Sequence, residues 1–219
     1  MNLKDKRKQE LDEQKEKRKE EVVAAAVEVF KEKGIENTKM TDVALKAEVG
    51  IASVYRYFKT KTDLIVEAAT WLWREEVNNF YNEFYEENFL KLSGSERVRK
   101  VLSSFIDIYE NHSETIVFLE NFDNYIVNQK ISTDKLEEYE KNIITLKSLI
   151  LSSIEKGKED GTIKKQINSN DFYITITHSL MSLCQKLILR GAVLKSDSEV
   201  KGREQLSLLI DMAMNYICN

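Results

Sequence analysis

Apolar residues recur at helical spacing along most of the chain. The first such run lies in residues 22–30, and its apolar positions are Val22, Val23, Ala26, Val29 and Phe30. Gly34 follows this run and fits the position just after a helix C-terminus. The pattern therefore predicts a helix that ends just before Gly34.

Two tight breaks divide the next part of the chain into short helices. Thr41 fits the N-cap of one short helix, and Gly50 separates it from another that ends near Phe58. Together with the first helix, these elements predict a compact three-helix unit.

Longer helices are predicted for the rest of the chain. Thr60 or Thr62 can cap the first of them, which begins near Asp63 and runs to residue 85. The others cover residues 95–110, 114–129, 133–159, 170–191 and 199–217. Residues 172–178 alternate like a strand, but a lone strand leaves its backbone unpaired. The predicted fold class is therefore all-α, with about nine helices.

The composition agrees with a helical, globular chain. The 219 residues are 42% hydrophobic and 32% charged, and they include seven glycines and no proline. Proline interrupts helices, and average usage would give about eleven in a chain of this length. Cys184 and Cys218 form no CxxC pair, which favours a reducing compartment.

Charge is unevenly distributed along the chain. The whole chain carries a net charge of −4, whereas residues 1–64 carry +2, and residues 51–62 hold three cations and no acid. A locally basic segment on an acidic protein suits a small nucleic-acid contact. Residues 1–19 are a charged N-terminal extension, either a solvated helix or frayed arm, or an arm that touches DNA phosphates.

Residues 41–58 have the spacing of a helix-turn-helix. Val43 and Ala44 face inward on the first short helix, while Val54 and Phe58, four residues apart, hold the second helix from below. The second helix then presents small residues that let its backbone approach base edges, and hydroxyls and cations that can bind phosphates. The spacing alone also fits a helical hairpin whose tyrosines cap a core.

A longer sequence pattern joins these elements. The stretch VVAAAVEVFKEKG is followed by TKMTDVALKAEVGIASVYRYFKTKTDLI. Over about residues 20–66 this pattern resembles the DNA-binding half of the TetR/AcrR family of bacterial transcriptional regulators. The resemblance implies a helix-turn-helix DNA-binding domain at residues 20–66 and a ligand-binding and dimerisation domain at residues 67–219.

The resemblance and the spacing together assign DNA contacts to ten residues. They are Thr41, Gly50, Ile51, Ala52, Ser53, Tyr55, Arg56, Tyr57, Lys59 and Lys61. Thr41 and Lys61 match phosphate contacts of the family. Tyr55 and Tyr57 match phosphate or base contacts. The implied partner is a palindromic double-stranded operator, bound by a homodimer.

Three positions depart from the family pattern. The turn often carries glycine where this chain has Glu48, and serine and glycine are common at Gly50 and Ala52. Gly50 offers no side-chain cap, and Glu48 places a negative charge near the DNA. The operator sequence therefore does not follow from the resemblance.

The last two predicted helices are candidates for a dimer interface. One is apolar on nearly every side, and the other carries a broad apolar stripe, so each needs a partner on a second face. The residues predicted for the interface are Leu180, Leu187, Leu206, Leu209, Ile210, Ala213 and Ile217, with Leu208 and Met212 widening the stripe. Residues 155–171 also resemble the junction between two late helices of the family.

Aromatic, sulfur-containing and polar residues are candidates for an effector pocket. They are Trp71, Phe105, Tyr109, Phe118, Phe122, Tyr125, His178, Met181 and Cys184. Such residues also build ordinary helical cores, so each position fits either role. The expected effector is an apolar or aromatic small molecule, and His178 is expected in the core or the pocket.

The sequence contains no recognisable catalytic or metal-binding constellation. His112 and His178 lie in no metal-ligand spacing, and there is no phosphate-binding loop. We therefore expect no enzyme activity, no cofactor and no bound metal. No apolar run suits a membrane span, and the N-terminus lacks the apolar core of a secretory signal, so a cytoplasmic location is expected.

The function predicted from the sequence is ligand-responsive DNA-binding regulation. The leading form is a homodimeric repressor that a small-molecule effector releases from its operator. The alternative is a helical protein-interaction module that keeps the fold but acts through protein partners, which the small net charge of residues 1–64 would suit.

Overall fold

The structure, a computed structural model, is helical throughout the residues it describes, which are 3–77, 84, 86–191, 193 and 195–219. Ten α-helices lie in these residues: α1 Leu3–Lys33, α2 Met40–Lys46, α3 Ile51–Tyr57, α4 Lys61–Leu72, α5 Glu87–Leu90, α6 Gly94–Asn111, α7 Ser113–Asn128, α8 Thr133–Asp160, α9 Ser169–Arg190 and α10 Gly202–Ile217. A π-helical turn, Trp73–Val77, follows α4, and a 3-10 turn, Lys195–Ser198, precedes α10. The all-α prediction is confirmed.

The predicted helices of the second half agree with α6 to α10 to within about three residues. The strand-like segment 172–178 lies inside α9, where Phe172, Ile176 and Leu180 are buried and Ile174 is exposed. A four-residue step therefore governs burial there. The fourth predicted helix, residues 63–85, is observed as α4 and the π-helical turn up to Val77, and residues 78–83 and 85 lie outside the described residues.

The charged N-terminal extension is part of α1. This helix runs without a break from Leu3 to Lys33, and its side chains become buried from Val22 onward. Gly34 ends it with a φ of +79°, and the Gly34 N–H donates to the Phe30 carbonyl at 2.9 Å. The predicted helix end is confirmed, because only glycine adopts this left-handed backbone without a steric penalty.

The chain divides into two compact units. The first comprises Met1–Glu76 and Asn121–Tyr139, and the second comprises Val77–Glu120 and Glu140–Asn219. The first unit therefore includes more of the chain than the predicted 20–66 domain, because it takes in the hairpin of residues 121–139 formed by the end of α7 and the start of α8.

The core of the first unit forms where α1 packs on α2 and α4. The apolar residues predicted on α1 are buried there, and Leu64 and Ile65 of α4 are fully buried beside them. The 121–139 hairpin packs through aromatic side chains, since Trp73 Nε1 donates to the Tyr139 hydroxyl at 3.1 Å and the Phe122 and Tyr139 rings lie 4.8 Å apart. Burial raises the pKa of Tyr139 above its ordinary value.

The core of the second unit forms where α6 packs against α9 and α10. At its N-terminus α6 also approaches α8 so closely that a Cβ at Gly94 would collide with the Gly157 backbone. Asp160 accepts a hydrogen bond from the Gly94 N–H at 2.8 Å, and Ser93 caps α6 by accepting from the Glu96 N–H. The chain end is held by an isolated antiparallel bridge between Ile163 and Cys218.

Candidate nucleic-acid interface

Helices α2 and α3 form the predicted helix-turn-helix. Val43 and Ala44 of α2 and Val54 of α3 are buried at their contact, as predicted. The turn is closed by the Val49 N–H, which donates to the Ala44 carbonyl at 3.0 Å. Phe58 is also buried just after α3, so the inward face predicted for the second helix is confirmed.

The turn between these helices holds a left-handed residue that is not glycine. Glu48 has a φ of +53°, a conformation that disfavours residues carrying a Cβ. Gly50, by contrast, has a φ of −69°, and a Cβ there would meet no atom within 4 Å. Glycine is therefore absent from the turn position whose backbone favours it.

The N-terminus of α2 differs from the prediction. Lys39 is the N-cap residue, and its backbone N–H donates to the Asp42 carboxylate at 2.8 Å. Thr41 lies exposed in the first turn, so its prediction as the N-cap is wrong, because Asp42 satisfies the backbone donor instead. The bonds from Lys39 and then Lys33 lower the pKa of Asp42.

Helix α3 presents a graded surface around its buried Val54. At 100° per residue, Ala52 and Arg56 lie opposite Val54, and both are exposed. Tyr55 lies on one flank and is 52% exposed, while Ser53 and Tyr57 lie half-buried on the other flank. The outermost edge of the recognition helix thus consists of a small side chain, a cation and one tyrosine.

The side chain of Arg56 is oriented by its neighbour Tyr57. Arg56 Nη2 donates to the Tyr57 hydroxyl at 3.3 Å, and the guanidinium carbon lies 5.2 Å from the centre of the Tyr57 ring. Stacking on a ring restricts the guanidinium but leaves several of its five N–H donors for a phosphate or a base.

The start of α4 contributes two further predicted contacts. Thr60 caps the helix, as predicted, because its hydroxyl accepts from the Asp63 N–H at 3.1 Å and its own N–H donates to the Asp63 carboxylate at 3.1 Å. Lys59 is exposed. Lys61 is half-buried, its Nζ donates to the Glu36 carbonyl at 3.2 Å, and burial lowers its pKa.

An open groove of about 630 Å³ lies between α1 and the turn that leads into α3. Its lining residues are Leu11, Gln14, Lys15 and Arg18 of α1, with Glu48, Val49, Gly50, Ser53, Arg56 and Tyr57. The four α1 residues were not among the predicted DNA contacts. The signal that could have identified them is the spacing of the charges in residues 3–21, which segregates cations from acids.

The residues predicted for an effector pocket fall in both units. Trp71, Phe122 and Tyr125 belong to the first unit. Phe122 and Tyr125 are buried, and the Tyr125 hydroxyl lies 2.7 Å from the Thr62 hydroxyl. Trp71 is half-buried.

The remaining candidates lie in the second unit. Phe105, Phe118 and Cys184 are buried, and burial raises the pKa of the Cys184 thiol to about 12. Tyr109 and Met181 are half-buried. His178 is exposed, so the expectation of a buried histidine is wrong.

The reason for the exposure of His178 is its position on α9. Ile176, Leu180 and Cys184 form the buried face at four-residue steps, and His178 lies on the opposite side. The assignment of the other residues to a pocket stays a prediction.

Most residues predicted for the dimer interface lie in the core of one copy. Leu180, Leu187, Leu206, Ile210, Ala213 and Ile217 are all buried within the chain, and Leu209 is half-buried. A second copy cannot reach these buried side chains without rearrangement. The apolar residues that α10 leaves exposed are instead Leu208, Met212 and Tyr216, at 62%, 60% and 65%.

Within the described residues, no group of three or more His, Cys, Asp or Glu side chains is arranged to hold a metal ion. A search of the same residues finds no helix with the length and apolar character needed to cross a membrane.

Comparison with known proteins assigns this geometry to a family. Residues 22–68 match the model of bacterial regulatory proteins of the tetR family. The chain is 30% identical over 148 residues to the uncharacterized HTH-type transcriptional regulator YhgD of Bacillus subtilis (strain 168), covering 67% of this chain and 72% of that protein.

Solved structures share the whole fold at low identity. A TetR transcription regulator from Haloarcula marismortui has a TM-score of 0.72 and 13% identity, over 93% of this chain and 100% of that one. The regulator FadR of Bacillus subtilis, in complex with stearoyl-CoA, has a TM-score of 0.63 and 16% identity, over 89% and 96%.

Proposed function

Because the chain belongs to the tetR family of bacterial regulatory proteins, we propose that it is a homodimeric transcriptional repressor that a small-molecule effector releases from its operator. The observation that carries the proposal is the exposed edge of α3. Ala52, Tyr55 and Arg56 face outward from a helix that Val54 and Phe58 anchor, so base-reading groups are held on a rigid support.

The DNA contacts divide into two groups. The residues from Gly50 to Ser53 open the recognition helix and let its backbone approach base edges, with Arg56 as the main base-reading side chain. Thr41, Tyr55, Tyr57, Lys59 and Lys61 bind phosphates on either side. The lowered pKa of Lys61 leaves room for a phosphate to stabilise its charged form.

The homodimer forms through exposed apolar side chains of the last helices. Leu208, Met212 and Tyr216 follow one another at four-residue steps on α10, and Ile174 and Leu189 are exposed on α9. Pairing about a two-fold axis would bury this surface and present two recognition helices to a palindrome.

The effector acts through helices that pass from one unit to the other. Both α7 and α8 have residues in each unit, and the hairpin between them is bonded to the start of α4. The bonds are Tyr125 to Thr62 at 2.7 Å and Lys135 to Asp63 at 2.8 Å. An effector that favours one orientation of α7 or α8 would therefore move the phosphate contacts near Lys61.

The effector is an apolar or aromatic small molecule. Apart from the buried aromatics Phe105 and Phe118, the support is the similar fold of FadR, which was solved with stearoyl-CoA. The protein acts in the cytoplasm, where its operator lies, and it needs no catalytic group for this function.

Gel retardation with the DNA upstream of its own gene tests the proposal. Purified protein should retard one upstream duplex more strongly than a random duplex, and rising salt should weaken the complex. Arg56→Ala should weaken specific binding about tenfold or more, since a lost base contact costs about 1–3 kcal/mol. Lys130→Ala, which removes an exposed cation of the same unit, is the control and should bind nearly as wild type. Equal retardation of every duplex would overturn the proposal.

A thermal shift assay tests the effector class separately. Stearoyl-CoA should raise the unfolding temperature and release the retarded duplex, because a ligand at 100 times its Kd stabilises the folded state by about 2.7 kcal/mol. Free coenzyme A, which lacks the apolar chain, is the control. If neither this ligand nor a panel of aromatic compounds shifts the transition, the effector class is wrong while the DNA-binding proposal stands.

A further inference from the structure

We infer that the N-terminal part of α1, residues 3–21, is a second DNA-contacting element whose cationic face binds phosphates of the duplex that α3 engages. We call the set Arg7, Lys8, Lys15, Arg18 and Lys19 the cationic stripe. The inference rests on the proposed DNA-binding function and adds a contact surface outside the helix-turn-helix.

The extension is a rigid rod that the core does not require. Its described side chains up to Arg18 are all exposed, and the buried residues of α1 begin at Val22. At a rise of 1.5 Å per residue it spans about 28 Å. This length equals about eight base pairs of duplex at 3.4 Å each.

Charge is segregated around this rod. At 100° per residue, the cationic stripe falls within an arc of about 120° that contains no acid. The opposite face carries the acids Asp5, Asp12, Glu13, Glu16 and Glu20. Lys6, Glu10, Lys17 and Glu21 lie between the two faces. A helix that served only to stay hydrated would need no such separation of signs.

The cationic stripe faces the recognition helix. Lys15 and Arg18 line the groove whose other wall holds Gly50, Ser53 and Arg56. The groove therefore opens beside the N-terminal end of α3, the end that approaches base edges in a helix-turn-helix complex. The acids of the opposite face take no part in its lining, which includes a single acid, Glu48.

The stripe also retains cations that could bind a ligand. Lys19 pairs with Glu67 at 3.0 Å, and Arg18 lies 3.8 Å from Glu21. Arg7, Lys8 and Lys15 make no ion pair with other residues that the structure describes. A row of cations along a straight helix complements the regular phosphates of a duplex, which offers one charge per about 1.7 Å of its axis.

The salt dependence of DNA binding, measured by fluorescence anisotropy, tests the inference with matched variants. The test variant is Lys8→Gln with Lys15→Gln, on the stripe. The control is Lys6→Gln with Lys17→Gln, which removes the same charges from the same helix outside the stripe. Glutamine keeps the helix propensity of lysine, so both variants should fold alike, as circular dichroism can verify. The probe is the duplex that the wild-type protein selects from a random library.

The stripe variant should bind more weakly than the control, and its slope of log K against log salt should fall by about 2 per chain, since each phosphate-bound lysine contributes about 1. Hydroxyl-radical footprinting should show backbone protection that the stripe variant loses and the control keeps. Equal affinities and slopes for both variants would overturn the inference.

Failure of the inference can be told apart from failure of the proposed function. If wild-type protein selects a duplex and Arg56→Ala weakens that binding, the DNA-binding proposal holds even when the stripe variant matches its control. If the library yields no selected duplex, the proposed function itself fails, and the stripe inference fails with it.

Discussion

At the scale of single residues, the turn between α2 and α3 has an unfavourable backbone choice. Glu48 occupies a left-handed conformation at a φ of +53° and also places a carboxylate in the groove beside α3. The left-handed region costs a residue with a Cβ roughly 1–2 kcal/mol, whereas glycine adopts it freely. The local geometry of the helix-turn-helix is therefore held by the packing of Val43, Ala44 and Val54 rather than by the turn residue.

Glu48→Gly should stabilise the protein by about 1 kcal/mol, because it relieves this backbone strain. Urea unfolding followed by circular dichroism measures the change as a higher midpoint at an unchanged slope. Glu48→Ala is the matched control, since it removes the charge but keeps the Cβ, and it should give no such gain. Equal stabilisation by both variants would show that charge, not backbone strain, is responsible.

At the scale of elements, the N-terminus of α4 is the point where several functions meet. Thr60 caps the helix, Lys61 is a predicted phosphate contact, and Asp63 joins the cap to Lys135 of the 121–139 hairpin. Asp63 accepts from the Lys135 Nζ at 2.8 Å, and this bond is the main cause of its lowered pKa. The placement of α4 thus depends on a carboxylate that must be ionised.

This dependence predicts acid sensitivity with a definite sign. Because the folded-state pKa of Asp63 lies below its ordinary value near 3.9, its stabilising effect is complete above that pH and disappears as pH falls through the lower folded pKa. Asp63→Asn should lower the urea midpoint at pH 7, and its difference from wild type should shrink below about pH 4. Asp12→Asn, in the exposed part of α1, is the control and should show no such pH-dependent difference. A constant difference at every pH would contradict the prediction.

At the scale of the whole molecule, both close packing and exposed apolar surface have consequences. In the second unit, α6 and α8 approach through Gly94 and Gly157, where no Cβ fits on Gly94. On α10, the stripe predicted from the sequence is divided between two partners. Leu206 and Ile210 pack inside the chain, while Leu208, Met212 and Tyr216 remain exposed.

Gly94→Ala should destabilise the second unit by about 1–3 kcal/mol or more, because the added methyl collides with backbone that cannot move aside. Gly50→Ala is the matched control, since a Cβ there meets no atom within 4 Å. Differential scanning calorimetry should show a clearly lower unfolding temperature only for Gly94→Ala. Equal transitions for the two variants would show that α6 and α8 can separate at little cost.

Leu208→Glu with Met212→Glu should convert a dimer of twice 25.5 kDa into a folded monomer, since four carboxylates would be buried at a two-fold interface. Light scattering after size-exclusion chromatography measures the mass. Val127→Glu, at a residue that is 72% exposed on α7, is the control and should leave the mass unchanged. A dimeric double variant would place the interface elsewhere.

Much of the fold follows from local periodicity. The inward positions Val54 and Phe58, the cap at Thr60 and the helix end at Gly34 were all predicted, because each depends on spacing or backbone preference within a few residues. The same is true of the helix bounds from α6 to α10. The family of the chain was also evident from such local motifs.

The errors and omissions concern residues whose surroundings are set by distant parts of the chain. His178 was expected inside but lies on the exposed side of α9, because that helix has one buried face and apolar residues on several. The α1 residues beside α3 were not predicted as part of the DNA-facing surface, since their place in the groove depends on how α1 packs on the helix-turn-helix.

The sequence by itself determined the helices, their caps, the helix-turn-helix and the family, since these depend on contacts between residues close along the chain. Only the tertiary structure decided which apolar stripe of α10 is core and which is surface, and which face of the α1 extension lies beside the recognition helix. Periodicity shows that a face needs a partner, but the identity of that partner is set by long-range packing.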